Sequence, residues 1–243
     1  MATLAFDHVS KVFADGTSAL DDVSLSIGSG EMVAIVGPSG CGKSTLLRLA
    51  SGLSQPTSGT ISAVDDNLGY VFQDATLLPW RSVQRNVELL AELSGVGSAE
   101  RARLAADAIA LTGLQDFTKH RPRALSGGMR MRVSLARALT MRPRLFLFDE
   151  PFGALDEITR ERLNAELLGL FASEQFAGVF VTHSVVEAAF LASRVVVMSA
   201  RPGRITAEVA VPFGYPRPPE LRFDPDFTKV AGEISARLRD GPA

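Results

Sequence analysis

Between the apolar runs Met32-Val33-Ala34-Ile35-Val36 and Leu46-Leu47-Arg48-Leu49-Ala50 lies the segment Gly37-Pro38-Ser39-Gly40-Cys41-Gly42-Lys43-Ser44-Thr45. The first run reads as a buried strand and the second as a helix. A glycine, four residues, Gly-Lys and then Ser or Thr, in that setting, is the pattern of a phosphate-binding loop. Glycines let successive N–H groups turn inward around phosphate oxygens. The following helix aims its positive end at the same place. Lys43 supplies a mobile point charge for the outer phosphates, and the Ser44 hydroxyl is hard enough to ligate magnesium. A glycine-rich turn with a chance lysine would not account for the flanking strand and helix. Cys41 has two readings: a thiol made reactive by the loop amides and Lys43, or an inert thiol filling a small space.

Composition narrows the rest. A chain of 243 residues suits one large domain or a domain with a lobe, and 46% apolar residues suffice for a core. A net charge of −2 offers no basic surface for nucleic acid. The single cysteine excludes an internal disulfide and fits a reducing compartment. No apolar run approaches the roughly 20 residues of a membrane helix. Met1 to Phe6 lacks the features of a signal peptide, so a soluble chain is expected, with any membrane role supplied by a partner.

Along the chain, Leu4 to Ile27 alternates short apolar pieces with turns and predicts antiparallel strands. After the loop and its helix, Thr60 to Ala63 and Gly69 to Phe72 read as strands, with a tight connection at Val64 to Asn67. Ser82 to about Arg137 is rich in Ala, Leu, Glu and Arg and predicts several helices. Strands are then expected at Arg144–Phe148, Gly178–Thr182 and Val195–Met198, with helices at Glu157–Phe171 and Val185–Ala192 between them. That alternation implies a parallel sheet with crossover helices. A proline-rich tail from Val211 ends in a predicted helix from Asp226 to Leu238.

Two further segments carry chemistry. Leu145 to Phe148 is an apolar strand ending in Asp149-Glu150. At the carboxyl edge of a sheet, Asp149 can hold magnesium through water and Glu150 can polarise an attacking water. A solvated acidic turn is the alternative, and the upstream loop disfavours it. Leu125-Ser126-Gly127-Gly128-Met129 opens a helical stretch, with Ser126 as N-cap and two glycines exposing N–H groups. Alone, this would be an ordinary capped helix.

Together these segments resemble the ATP-binding subunits of ABC transporters, over nearly the whole chain. Leu125 to Met129 resembles the family signature, with Met129 and Met131 standing where Gln is usual. The resemblance implies an α/β fold of the P-loop ABC ATPase type: a parallel-sheet core with an antiparallel β subdomain (1–73 with 140–210), a helical subdomain (74–139) and a short tail (211–243). It also implies that ATP and Mg2+ bind, with Gly37 to Thr45, Ser126, Gly127 and Gly128 around the nucleotide and Ser44, Gln73 and Asp149 at the metal. Phe13 would stack on adenine, Glu150, Gln73 and His183 would serve catalysis, and Asp156 would lie on the loop that crosses the dimer. Phe13 as a core residue, Gln73 as a surface amide and His183 as a helix cap are the plain alternatives. His8 and His120 match nothing in the family pattern.

The implied mechanism is a head-to-tail dimer of two copies, each ATP held between the loop of one and the signature helix of the other. Hydrolysis would drive integral membrane permease subunits, at the cytoplasmic face of the membrane, with an extracytoplasmic solute-binding protein as indirect partner. The stretch Asp74 to Val83, Arg201 to Ile205 and the proline-rich tail resemble the importer subfamily for nitrate, sulfonates and taurine. Leu77, Leu78 and Trp80 form either a groove for a permease helix or an internal packing set between lobes. An exporter-type or lipoprotein-release ATPase, and a non-transport ABC ATPase, are the rival readings. The tail is too short for a fused regulatory domain.

Overall fold

The computed structural model describes residues 2–63 and 67–240, so most of the connection expected at Val64 to Asn67 lies outside the described residues. The chain begins with β1 (Ala2–Val12) and β2 (Ser18–Gly28), followed by β3 (Met32–Val36), the glycine-rich loop and α1 (Lys43–Ala50). Then come β4 (Ser58–Ala63), β5 (Leu68–Val71), and four helices: α2 (Val83–Val87), α3 (Leu89–Leu93), α4 (Ser98–Leu111) and α5 (Gly127–Leu139). The last part runs β6 (Leu145–Asp149), α6 (Glu157–Glu174), β7 (Ala177–Val181), α7 (Val185–Leu191), β8 (Arg194–Met198), β9 (Ile205–Ala210) and α8 (Pro225–Asp240).

Strands β2, β1 and β4 form an antiparallel sheet, and the other six form a second sheet in the order β5-β6-β7-β3-β8-β9. The first five strands of that sheet run parallel, and β9 closes the edge antiparallel to β8. Strands β3 and β7 are buried at every residue, as parallel strands covered on both faces must be. Side chains alternate between faces. Met32, Ala34, Val36, Phe146, Phe148 and Phe180 pack with the helical side, including α5, α6 and α7. Val33, Ile35, Leu145, Leu147, Val179 and Val181 face the other way, onto α1 and the three-stranded sheet.

The sequence pattern grouped Thr60–Ala63 with Gly69–Phe72, yet β4 pairs with β1 and β5 pairs with β6. Gly69 permits the second pairing, because a Cβ there would lie 2.7 Å from the Phe146 ring. Strand β9 was not evident in the sequence, since only its Val209 is buried. The tail docks firmly. Phe227 and Ile234 are buried, and Arg217 donates to the carbonyls of Ala189, Phe190 and Ala192 at the end of α7. A cation there satisfies the last carbonyls of the helix. Among the described residues no helix is long and apolar enough to cross a membrane.

Candidate active site

Loops that follow adjacent parallel strands leave the sheet at one edge. Here the segments after β5, β6, β7 and β3 carry Gln73, Asp149-Glu150, His183 and the glycine-rich loop respectively. Topology alone therefore gathers four stretches that are far apart in sequence.

Within the loop, Gly40 and Gly42 take φ values of 76° and 108°, which an L side chain rarely adopts. A Cβ on Gly42 would also lie 2.7 Å from the Ala19 carbonyl oxygen, so the β2 strand presses on the loop. Gly42 is the N-cap of α1 and offers no capping side chain. The first amides of that helix are thus left for an anion. Lys43 is 4% exposed, and its Nζ donates to the carbonyls of Gly37 at 2.9 Å and Pro38 at 3.0 Å. Pro38, Ser39 and Gly40 are exposed, and Ser44 and Thr45 are half-buried. Cys41 is 1% exposed and packs in the apolar core beside Met198 and Leu46, which is the geometry of the inert-thiol reading.

Ser44 Oγ donates to Asp149 Oδ1 at 2.8 Å, and Tyr70 donates its hydroxyl to Asp149 Oδ2 at 3.3 Å. Burial, and then the Asp149 charge, push the Tyr70 hydroxyl pKa well above its ordinary value, so it remains a donor. Tyr70 was missed in the sequence. The signal was its place two residues before the end of the Gly69–Phe72 run, on the strand beside β6.

Glu150 follows β6 with φ +49°, a left-handed conformation uncommon for a residue with a side chain. Its N–H donates to Val181 O at 3.1 Å, and its carbonyl accepts from Gly153 N at 3.1 Å. This turn brings Glu150 Oε1 to 2.7 Å from His183 Nε2. Gln73 reaches the same turn: a Cβ on Gly153 would be 3.8 Å from Gln73 Nε2 and 3.4 Å from Glu150 O. Strain of this kind persists where surrounding structure holds it.

Ser126 caps α5, its Oγ accepting from Met129 N at 3.2 Å. Gly127 and Gly128 pack against α6 and the segment before it: a Cβ on each would lie 3.0 Å from Leu155 and 2.9 Å from Thr159. The start of α5 therefore abuts the Asp156 segment rather than the Lys43 loop. Asp156 caps α6 by accepting from Thr159 N at 3.0 Å, and that bond holds its carboxyl below the usual range. Met131 is buried in the core and Met129 packs partly against it.

Phe13 is exposed in the β1–β2 turn, with the Lys11 ammonium 5.6 Å from its ring centroid. Leu78 is half-buried, and Leu77 is half-buried against the core, whereas Trp80 is 67% exposed. Two residues that sequence reasoning missed hold this loop. Asn86, fully buried, accepts from Leu78 N at 2.7 Å and donates to the carbonyls of Leu78, Arg81 and Ser82. Arg137 donates to Ala75 O at 3.1 Å and Thr76 O at 2.9 Å. Such side chains satisfying loop backbone are invisible to periodicity. His8 pairs with Asp22 at the surface, and His120 lies against Phe117.

Residues 20–153 match the family model described as ABC transporter. The taurine import ATP-binding protein of Burkholderia pseudomallei is 43% identical, the match covering 95% of this chain and 94% of that protein. The nitrate import ATP-binding protein of Synechocystis sp. is 42% identical, over 91% of this chain and 88% of its own length. Among solved structures, an ATP-binding cassette in a dimeric post-hydrolysis state bound to ADP and Pi superposes with a TM-score of 0.75 at 32% identity, covering 87% of this chain and 100% of that one.

Proposed function

The chain belongs to the ABC transporter family as an ATP-binding, ATP-hydrolysing subunit, and we propose that it powers an importer for a small solute: nitrate, a sulfonate, taurine or a related compound. The loop amides and Lys43 would hold the phosphates, and Phe13 would lie against adenine. Ser44 and Asp149 fit a magnesium ion: two hard oxygen donors converge at 2.8 Å, next to the loop that binds phosphate. Bound there, the ion would neutralise phosphate charge. Glu150 would take the proton of the attacking water. His183, 2.7 Å away, orients that carboxylate and would meet the terminal phosphate. Gln73 would report the state of this turn to the loop that carries Trp80.

The reading makes the site one that two copies share. Gly127 and Gly128 abut Leu155 and Thr159, and in this reading the helix start that closes over the phosphates comes from a second copy. The dimeric cassette among the structural relatives supports that arrangement. Asp156 would then lie at the seam between copies.

The exposed Trp80, on a loop pinned by Asn86 and Arg137 next to Gln73, is the observation that carries coupling to a membrane permease. An exposed tryptophan on a braced loop is a ready anchor for a partner helix. The protein would then sit on the cytoplasmic face of the membrane through that contact. The test is co-purification with the permease, then ATPase measurement in vesicles with the solute-binding protein loaded with nitrate, taurine or an alkanesulfonate. Stimulation by one of these supports the importer reading. ATPase activity indifferent to all of them, with the permease bound, rejects the solute class.

A further inference from the structure

Glu187 is the third residue of α7, whose N-cap is Ser184. Ser-x-x-Glu at a helix start normally makes a capping box, the glutamate reaching back to the N-cap N–H from an exposed position. Here the serine half is present: Ser184 Oγ accepts from Glu187 N at 3.2 Å. The glutamate half is diverted. Glu187 is 5% exposed, and its Oε2 accepts from the Thr182 hydroxyl. The Thr182 Oγ1 in turn accepts from Ser184 N at 3.0 Å. Thr182 has taken the amide a capping-box glutamate would bind, and it passes the connection down to the buried carboxyl.

The residue between Thr182 and Ser184 is His183. The Ser184 N–H to Thr182 Oγ1 bond therefore closes a turn over its backbone, and Glu187 braces that turn through Thr182. Thr182 N also donates to Ile35 O at 3.2 Å, which ties the turn to the strand leading into the phosphate loop.

This arrangement is costly. Glu187 is buried beside Asn164 of α6, whose side chain hydrogen-bonds the carboxyl and offsets part of the cost of burial. The charges near it are Arg160 and Glu157 from α6 and Arg222 from the tail. A helix cap alone would not call for a buried carboxyl, because an exposed one serves at lower cost.

We propose that Glu187 is a positioning residue for ATP hydrolysis: acting through the Thr182 hydroxyl, it fixes the backbone of His183 and so the place of the imidazole relative to Glu150. The inference rests on the reading of His183 as a group that acts in hydrolysis. It adds to that reading a buried residue that acts through Thr182.

The test uses the full chain with MgATP, measuring kcat and KM separately. Thr182→Val keeps the shape and removes the hydroxyl. Glu187→Met fills the space and removes the acceptor. Each is expected to lower kcat by about tenfold or more while KM changes less than about threefold. Thr182→Ser and Glu187→Gln keep the donor and acceptor and should recover most of the loss. In a His183→Ala background, single-turnover rates should show no further loss from Thr182→Val, because both changes act on one group. If Glu187→Met does not fold, the Thr182 pair and the cycle decide alone. If His183→Ala is inactive while Thr182→Val turns over normally, the positioning proposal is wrong. A fully additive loss in the double variant also rejects it. A fully active His183→Ala instead removes the reading of His183, with the Thr182 result then read as stability only.

Discussion

Ser44 donates its hydroxyl hydrogen to Asp149 at 2.8 Å, joining the first turn of α1 to the last residue of β6. The bond spans 105 residues of sequence and puts two of the three expected metal residues, Ser44 and Asp149, at one point on the sheet edge. Lys43, one residue earlier, is held inside the loop by two carbonyls.

Lys43→Ala is therefore expected to abolish tight MgATP binding. It removes the one full positive charge from the loop, and charge-assisted contacts are roughly twice as strong as neutral ones. A loss of about 100-fold or more in affinity, by calorimetry, is expected. Phosphate release at the parent rate would overturn the loop's role.

The glycine loop, the acidic strand end and the capped signature helix were legible because each pairs a strong local pattern with a defined flank. Topology then did what no pattern could: adjacency of β6, β7 and β3 brings Glu150 to His183. Asn86, Arg137, Tyr70 and Glu187 were not legible. Each acts through a hydrogen-bonding side chain, Tyr70 and Arg137 on distant segments and Asn86 and Glu187 on nearby ones, and such contacts leave no period in the sequence. Strand β9 was hidden because an edge strand with one buried residue lacks a clear alternation.

Cys41 is 1% exposed and packed in the core with Lys43 Nζ 3.9 Å from its Sγ, and its burial favours the inert-thiol reading. Maleimide is expected to label the native protein slowly, with full labelling only in denaturant. Fast labelling of the native chain, blocked by MgATP, would restore the reactive-thiol reading.

Burial pushes the Glu187 carboxyl above the ordinary glutamate range. A raised folded pKa means the folded chain holds this proton more tightly than the unfolded chain. Its penalty is absent below the ordinary pKa and grows as pH rises through the folded value. Glu187→Gln removes that penalty. The variant should match the parent near pH 4 and exceed it at neutral pH in urea unfolding. A stability gap that does not change with pH would show that Glu187 does not titrate in this way.

Trp80→Ala should leave thermal stability almost unchanged, because the ring is 67% exposed, and should weaken co-purification with the permease. Asn86→Ala is the contrast. It leaves the amide of Leu78 without its partner inside the fold and is expected to cost about 2–3 kcal/mol. If Trp80→Ala destabilises the isolated chain and leaves assembly intact, the ring serves packing rather than docking.

Glu150→Gln separates binding from hydrolysis. The amide keeps the shape of the side chain and can still meet His183, but it cannot take a proton from water. ATP affinity should persist, and turnover should fall by roughly the 10²- to 10⁴-fold typical of losing a general base. If the Ser126 helix start of a second copy closes the site as proposed, uncleaved ATP holds two copies together. The variant is expected to elute as a dimer with MgATP and as a monomer with MgADP, by size-exclusion chromatography with light scattering. Parent-like turnover would remove Glu150 from the base role. Slow turnover with full ATP binding and no dimer, in the full complex as well as the isolated chain, would keep the base and reject the shared site.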